Sequence, residues 1–382
     1  MLDKNEILKI YGHDYKEMTK HLLVFAQLKN MIPENARIGI KPNLVSPTPA
    51  SFGATTHPEI VAGIIEYLQE NSFNNIVVME GSWVGDKTSD AFEYCGYNAL
   101  SEKYGVLLID AQKDSCLAVS CAGMDINICD CARNVDFLIN VPVLKGHGQT
   151  KITCALKNIK GLIPNTEKRL FHKLGLHRPV AQLQMGIRQN FIVVDHICGD
   201  LELEDGGNPV QTDCIMAALD PVLVDSYVCS ILGYTAEDVE YIKLAEKLGV
   251  GCADLSRGVI KVLDTDTSSL ASHSAADSDP QEIKRTPSDI LMQICQNVED
   301  VESCSACYGA LVPALKRLQA EGKLEDVMNH IGGKILIGQG NSGKEGTFGV
   351  GNCCRNFQRF IPGCPPSEDD IYNYLCEPGG RG

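Results

Sequence analysis

The sequence predicts an α/β fold: a mostly parallel sheet flanked by helices, followed by a smaller C-terminal α/β iron–sulfur domain. Three observations lead there. Short β-branched runs alternate with helical periods up to about residue 265. A segment poor in bulky apolar residues follows. Beyond it, cysteines gather with Gly and Pro at ligand-like spacings.

ARIGIKPNLV (36–45) reads as a strand running into a loop. HPEIVAGIIEYLQEN (57–71) reads as a helix, with Ile60, Val61, Ile64, Ile65 and Leu68 on one face. Thr56 is its expected N-cap, and Pro58 suits the first turn. NIVVMEG (75–81) is a buried strand, and DAFEYCGYNALSEKYG (90–105) one helix ending at Gly105. VLLID (106–110), DFLINVPVL (136–144) and NFIVVDHI (190–197) continue the strands, and CLAVSCAGMDINIC (116–129) makes a hairpin with Ala-Gly at its turn. Such alternation implies a parallel sheet covered on both faces. Ligands then bind beyond the carboxyl ends of the strands, so the loops of interest are KPN (41–43), EGS (80–82), LKGHG (144–148) and DHICGD (195–200). Residues 264–289, rich in Ser, Asp, Ala and Thr, read as a linker between an α/β domain (1–263) and a cluster domain (290–382).

With 44% hydrophobic and 22% charged residues, the composition is that of a globular protein. No apolar run approaches the roughly 18 residues a membrane span needs, and the N-terminus is mixed-charge without a hydrophobic signal segment. The expectation is a cytoplasmic protein. A net charge of −15 argues against nucleic acid or an anionic membrane as partner. In a reducing compartment the 17 cysteines would not form a disulfide framework. Many, such as Cys154 and Cys229, read as small buried hydrophobes.

The C-terminal cysteines read differently. Cys304 and Cys307 form a C-x2-C, Cys353 follows after 45 residues and Cys364 after ten more, with Pro365 and Pro366 behind it. A [4Fe-4S] cluster needs four thiolates from several backbone segments and N–H groups near its sulfurs. Cys304 and Cys307 open a helix whose apolar face is Cys307, Leu311, Leu315 and Leu318, and a helix N-terminus favours an anionic group. Gly351 and Gly363 let backbone approach before Cys353 and Cys364. Zinc is the competing occupant. Zinc ribbons usually pair two C-x2-C knuckles, and one is present here. Cys354 competes with Cys353 as third ligand. A second metal site on Cys116, Cys121, Cys129 and Cys131 is a weaker alternative, since hairpin residues alternate between faces.

CSAC (304–307), GNC (351–353) and GCPP (363–366) together resemble the cluster unit of hydrogenase small subunits and related subunits of respiratory complex I. That resemblance favours Cys353 and implies that the cluster passes electrons. Further upstream, KPNLV (41–45), TTHPEIVAGIIEYL (55–68), FEYCGY (92–97), the long stretch 137–176, IVVDHI (192–197) and ALDPVLVDSYVCSILGY (218–234) resemble the "domain of unknown function 362" family. Members often carry iron–sulfur modules, typically two C-x2-C-x2-C-x3-C-P runs, from which this chain departs.

Read chemically, Lys145 and His147 sit on an exposed, flexible loop after a strand, and Lys151, Lys157 and Lys160 add positive charge. His147 is the candidate proton donor or acceptor, Lys145 its catalytic companion, and Lys157, Lys41 and Asn43 candidates for a small anionic substrate. The bland alternatives are a solvated lysine face, an exposed His and a turn closed by Asn43. Lys168 and His172 are weaker candidates; Asp195 and Asp225 read as groups that orient His or Lys or hold a cation, with a helix cap or surface salt bridge the favoured alternative for each. There is no P-loop, dinucleotide fingerprint or nucleophile elbow. The favoured function is redox, with an electron-transfer protein as partner. The alternatives are a non-redox isomerase or lyase with a structural cluster, which the general likeness of the fold to the nickel-dependent lactate racemase superfamily brings to mind, and a cluster-based sensor or binding module.

Overall fold

A computed structural model describes residues 1–204, 206–264, 270–277, 294, 296–301, 303 and 305–376, with backbone alone at 305 and 306. The chain forms two units, Met1–Phe171 with Leu176–Lys284, and His172–Gly175 with Arg285–Gly382.

The first unit is built on strands β1 (Glu6–Tyr11), β2 (Ile38–Pro42), β3 (Ile76–Glu80), β4 (Leu107–Asp110), β5 (Cys116–Cys121), β6 (Met124–Cys129), β7 (Phe137–Val141), β8 (Lys145–His147), β9 (Lys151–Thr153), β10 (Phe191–His196), β11 (Cys214–Ala218), β12 (Val259–Leu263) and β13 (Leu270–Ser274). Nine of them make one sheet in the order β13-β12-β1-β11-β10-β7-β2-β3-β4. From β10 to β4 all neighbours are parallel, whereas β11 runs antiparallel to both β10 and β1.

Period-two alternation gives the sheet its two cores. Ile192 and Val194 of β10 pack on one side with Leu138 and Met216. Phe191 and Val193 pack on the other with Ile40, Ile139 and the helix Pro58–Glu70. Central strands buried on both faces read as continuous apolar runs, which is why they were legible.

Three local expectations are corrected, and one strand is added. Thr56 does not cap the helix. Its hydroxyl donates to the Val141 carbonyl and accepts the Asn43 N–H, leaving His57 at the cap position with no side-chain bond to the helix N-terminus. Residues 90–105 break into helices Thr88–Tyr94 and Tyr97–Tyr104, because Gly96 takes φ 81° between them. Residues 270–274, expected within the linker, form β13 and pair with β12, whose outer edge would otherwise be open. Finally, β1 at the N-terminus is an unanticipated strand, inserted between β11 and β12.

The second unit has strands β14 (Val298–Asp300), β15 (Ile335–Ile337), β16 (Phe348–Val350) and β17 (Arg359–Ile361), in that order and all parallel. Its α-helices among the described residues are Ser305–Ala320, Leu324–Ile331 and Glu368–Cys376. Cys307, Leu311, Leu315 and Leu318 are all buried, the apolar face that their spacing predicts.

Candidate functional site

Lys145 and His147 are not on an exposed loop. They form β8, which pairs with β9 in a small hairpin, and both are almost fully buried at 1% and 2% exposure. Gly146 between them lies so close to Glu202 that a Cβ would stand 2.4 Å from the Glu202 carbonyl carbon. Gly146→Ala is therefore expected to destabilise the unit by about 1–3 kcal/mol, measured by denaturant unfolding. An unchanged midpoint would show that this approach is not tight.

What the approach brings in is Glu204. His147 Nδ1 accepts the N–H groups of Gln149 and Thr150, both at 3.0 Å. A neutral imidazole then carries its proton on Nε2, which faces Glu204 Oε2 at 2.6 Å. Lys157 Nζ lies 3.1 Å from the same oxygen and 3.3 Å from Thr153 Oγ1. Lys145 Nζ donates to the carbonyls of Ala54 and Glu204, bracing the loop that carries the glutamate. Burial pushes His147 down to about 4, outweighing the Glu204 charge. Burial alone would raise Glu204, but His147, Lys157 and Lys145 hold it well below the usual carboxylate range. At neutral pH the arrangement is a neutral imidazole donating to an ionised carboxylate that is also paired with a lysine.

A second buried group lies beside it. Lys41 forms an ion pair with Glu80 and donates to the Pro42 carbonyl at 2.7 Å. Burial lowers the Lys41 pKa and raises that of Glu80, each against the other's charge. Lys168 Nζ donates to the carbonyls of Gly81 and Ser82, both at 2.9 Å. Burial brings Lys168 down to about 8 despite the Glu80 charge. Asn158 links Lys41 to Asn140, and Asn140 continues to Gln189 and Gln184. The helix Ala155–Asn158 separates the two groups, sending Lys157 to Glu204 and Asn158 to Lys41. Lys41 thus lies in a neighbouring centre, and Asn43 closes a local turn through Val45 N–H. Asp225 caps this helix through the N–H groups of Ala155 and Leu156, whereas Asp195 holds His57.

Two histidines set the pH dependence of stability in opposite directions. His147 is depressed from an ordinary 6.5 to about 4, so between those values the unfolded chain binds the extra proton. Stability must then rise with pH in that window, by up to about 3 kcal/mol for the whole interval. His57 is raised to about 10, where the Asp195 charge outweighs a burial effect that would lower it. Its contribution is complete below about 6.5 and is lost as pH climbs through 10. We expect urea midpoints to peak near neutrality, with His147→Gln flattening the acid limb. An acid limb unchanged by that substitution would locate it elsewhere.

In the second unit the three candidate ligands among the described residues each follow the carboxyl end of a parallel strand or lie at the start of the helix beyond one. Cys307 lies in the first turn of Ser305–Ala320, Cys353 in the turn after β16 and Cys364 after β17. Gly351, at φ 89°, places its missing Cβ 3.5 Å from Cys307 Sγ and 3.7 Å from the Gly363 carbonyl oxygen. Asn352 N–H donates to that oxygen at 2.8 Å, and Asn352 Oδ1 accepts Gly363 N–H at 2.9 Å. Three cysteine-bearing segments thus converge on one glycine cradle. Cys354 turns away into the sheet, its Sγ 3.6 Å from the Leu336 carbonyl oxygen, and burial pushes its thiol up to about 11. Cys353 is partly exposed. Cys304 lies outside the described residues. Among the described residues no three His, Cys, Asp or Glu side chains are grouped to hold a metal ion.

Of the 116–131 cysteines, Cys131 lies beside Cys129 at the hairpin's base, but Cys121 stands apart, so the four do not meet at one point. Cys116 pairs with Cys129 at the hairpin's base while Cys121 pairs with Met124 at its tip, about 17 Å along the strand. Glu204, Glu80, His57 and Cys198 were missed as site residues. Glu80 has a visible signal, a carboxylate ending an apolar strand. Glu204 sits in DLELEDGG and has none.

Fold and site define an α/β protein with charged, buried polar centres at the carboxyl ends of parallel strands. The chain belongs to the family described as "Domain of unknown function (DUF362)", whose model matches residues 38–230. It is 22% identical over 232 residues to a thylakoid-associated protein of Synechocystis, a match covering 58% of this chain and 70% of that protein. Among solved structures it is similar to the lactate racemase apoprotein of Thermoanaerobacterium thermosaccharolyticum, at 14% identity and TM-score 0.38, covering 56% of this chain and 54% of that one. It is also similar to a Thermotoga maritima protein at 10% identity and TM-score 0.36, covering 62% and 60%. The chain thus spans little more than half the length of these structural relatives. Among the described residues no helix is long and apolar enough to cross a membrane.

Proposed function

We propose that this protein is an iron–sulfur redox protein whose C-terminal unit holds one [4Fe-4S] cluster on Cys304, Cys307, Cys353 and Cys364. The observation that carries this reading is the glycine cradle at Gly351, where the segments of Cys307, Cys353 and Cys364 meet. When bound, such a cluster supplies single electrons. The chain's own part is to converge thiolates from the ends of parallel strands, to leave space through Gly351 and Gly363, and to turn Cys354 inward. An electron-transfer protein is the partner this reading requires, in a reducing compartment such as the cytoplasm.

In the first unit the same reading assigns a small anionic substrate to Lys157 and a proton on His147 Nε2. A non-redox acid–base function is the second reading. It is favoured by the fixed tautomer of His147 against an ionised Glu204, which is an acid–base pair whatever the C-terminal unit binds.

The test is iron and sulfide analysis with EPR on protein purified without oxygen and reduced with dithionite. About four irons and four sulfides per chain, with a signal appearing on reduction, is the expected result. Zinc in place of iron would overturn the redox reading and leave the acid–base one.

A further inference from the structure

A third constellation takes no part in either centre above. Asp195 is the next-to-last residue of β10, Cys198 follows in the next loop, and His57 precedes the helix Pro58–Glu70. Asp195 Oδ2 lies 2.8 Å from both the backbone nitrogen and Nδ1 of His57, which fixes the ring. The other ring nitrogen, Nε2, faces Cys198 Sγ at 3.6 Å. Asp195 Oδ1 accepts the Ile197 N–H at 3.1 Å, so the same carboxylate also anchors the loop that bears the cysteine. A thiol facing an imidazole that a carboxylate orients is the arrangement by which proteins activate sulfur.

We propose that Cys198 is a nucleophilic thiolate that forms covalent adducts with small carbon electrophiles, with His57 as its proton partner and Asp195 as the group that positions His57. Several features support this. The site lies at the carboxyl end of a strand in the parallel part of the sheet, where ligands enter such folds. Cys198 is 4% exposed, which restricts access to small reagents, and His57 is partly exposed beside it.

The charged and titratable neighbours agree. Burial would depress His57, but Asp195, with Cys198, lifts it to about 10 and keeps the ring cationic near neutrality. Tyr15 packs edge-on against the His57 ring at 5.6 Å. Its hydroxyl donates to Asp213 at 2.7 Å, and burial with the Asp213 charge pushes it up to about 12, so it stays neutral. Tyr97, buried near Asp195, is likewise held protonated. A cationic imidazole beside a thiol favours the thiolate. Burial pushes the thiols of Cys95 and Cys229 up, and the exposed Cys116 is also raised, by partial desolvation and by Cys129 and Asp130.

In the reaction the thiolate electron pair forms the S–C bond as the bond to the leaving group breaks. The departing anion takes the Nε2 proton of His57, leaving a neutral imidazole and the S-substituted cysteine.

The test is limiting iodoacetamide on the intact chain, purified without oxygen, with peptide mapping by mass spectrometry; here iodide leaves and needs no proton. At about pH 6.5, Cys198 is expected to react at least about tenfold faster than Cys116, at a rate nearly flat from about pH 6 to 8. His57→Gln should lower the Cys198 rate at least about tenfold at that pH and restore an ordinary thiol titration. Asp195→Asn should give an intermediate rate. A Cys198 rate no faster than Cys116, or one rising about tenfold per pH unit across that range, would overturn the proposal. The pH profile of the unaltered chain decides this even if both variants misfold. Because Cys198 is remote in sequence from the cluster cysteines, failure here leaves the iron–sulfur reading standing.

Discussion

Glu204→Gln is expected to destabilise the first unit by about 3–5 kcal/mol, the usual cost of removing one partner from a buried ion pair. The glutamate is the common acceptor for Lys157 Nζ at 3.1 Å and His147 Nε2 at 2.6 Å. A neutral amide leaves the Lys157 ammonium, about nine-tenths buried, with no opposing charge except through distant groups. The readout is available within the unit: Trp83 is the single tryptophan and lies in it. Its fluorescence during urea unfolding should show the midpoint shift. A double-mutant cycle with Lys157→Met should return much of the loss, because the orphaned charge goes with the lysine. A Glu204→Gln effect within about 0.5 kcal/mol, the range of ordinary surface substitutions, would mean the pair is solvated and the centre is not an electrostatic unit. A large effect without recovery in the double variant would assign the loss to His147 or the 200–208 loop instead.

The second large effect separates two adjacent cysteines. Cys353→Ser is expected to take the iron content of anaerobically purified protein from about four per chain to near zero and to abolish the reduced EPR signal. Cys354→Ser should keep both. It should instead lower stability by about 1–3 kcal/mol, since it places a more polar atom in a buried position against Gly349 and the Leu336 carbonyl. The reverse pattern would exchange the two residues' roles. Equal loss of iron from both would mean that the turn Asn352–Cys354 tolerates no change, and Cys353→Ala with added sulfide and iron would then be compared with Gly351→Ala, which fills the cradle beside Cys307.

Much of this was legible in the sequence for identifiable reasons. Buried parallel strands have to be apolar on both faces, so Ile76–Glu80, Phe137–Val141 and Phe191–His196 announce themselves as continuous runs. The helix Pro58–Glu70 shows its stripe at i, i+3 and i+4. The hairpin at 116–129 closes on Ala122 and Gly123, both at positive φ, because the turn needs that conformation. The segments flagged at 41–43, 80–82 and 195–200 lie at the carboxyl ends of β2, β3 and β10, where a rule of topology puts them, whereas 144–148, beyond β7, is itself the strand β8.

The sequence by itself determined the class of fold, the family membership and the residue types available to each centre. It could not determine which charges meet. His147 and Glu204 are 57 positions apart, and Lys41 and Glu80 come from neighbouring strands. Lysines at 145 and 157 read as an exposed basic cluster for an anionic substrate because local sequence records charge but not burial; folding desolvates them and makes a distant carboxylate obligatory. Which histidine Asp195 would orient was decided only when the sheet order set β10 beside β7 and brought His57 over the strand end, against Cys198. Pairing of this kind depends on three-dimensional proximity in a low-dielectric interior, a property of the packed chain that no local pattern encodes.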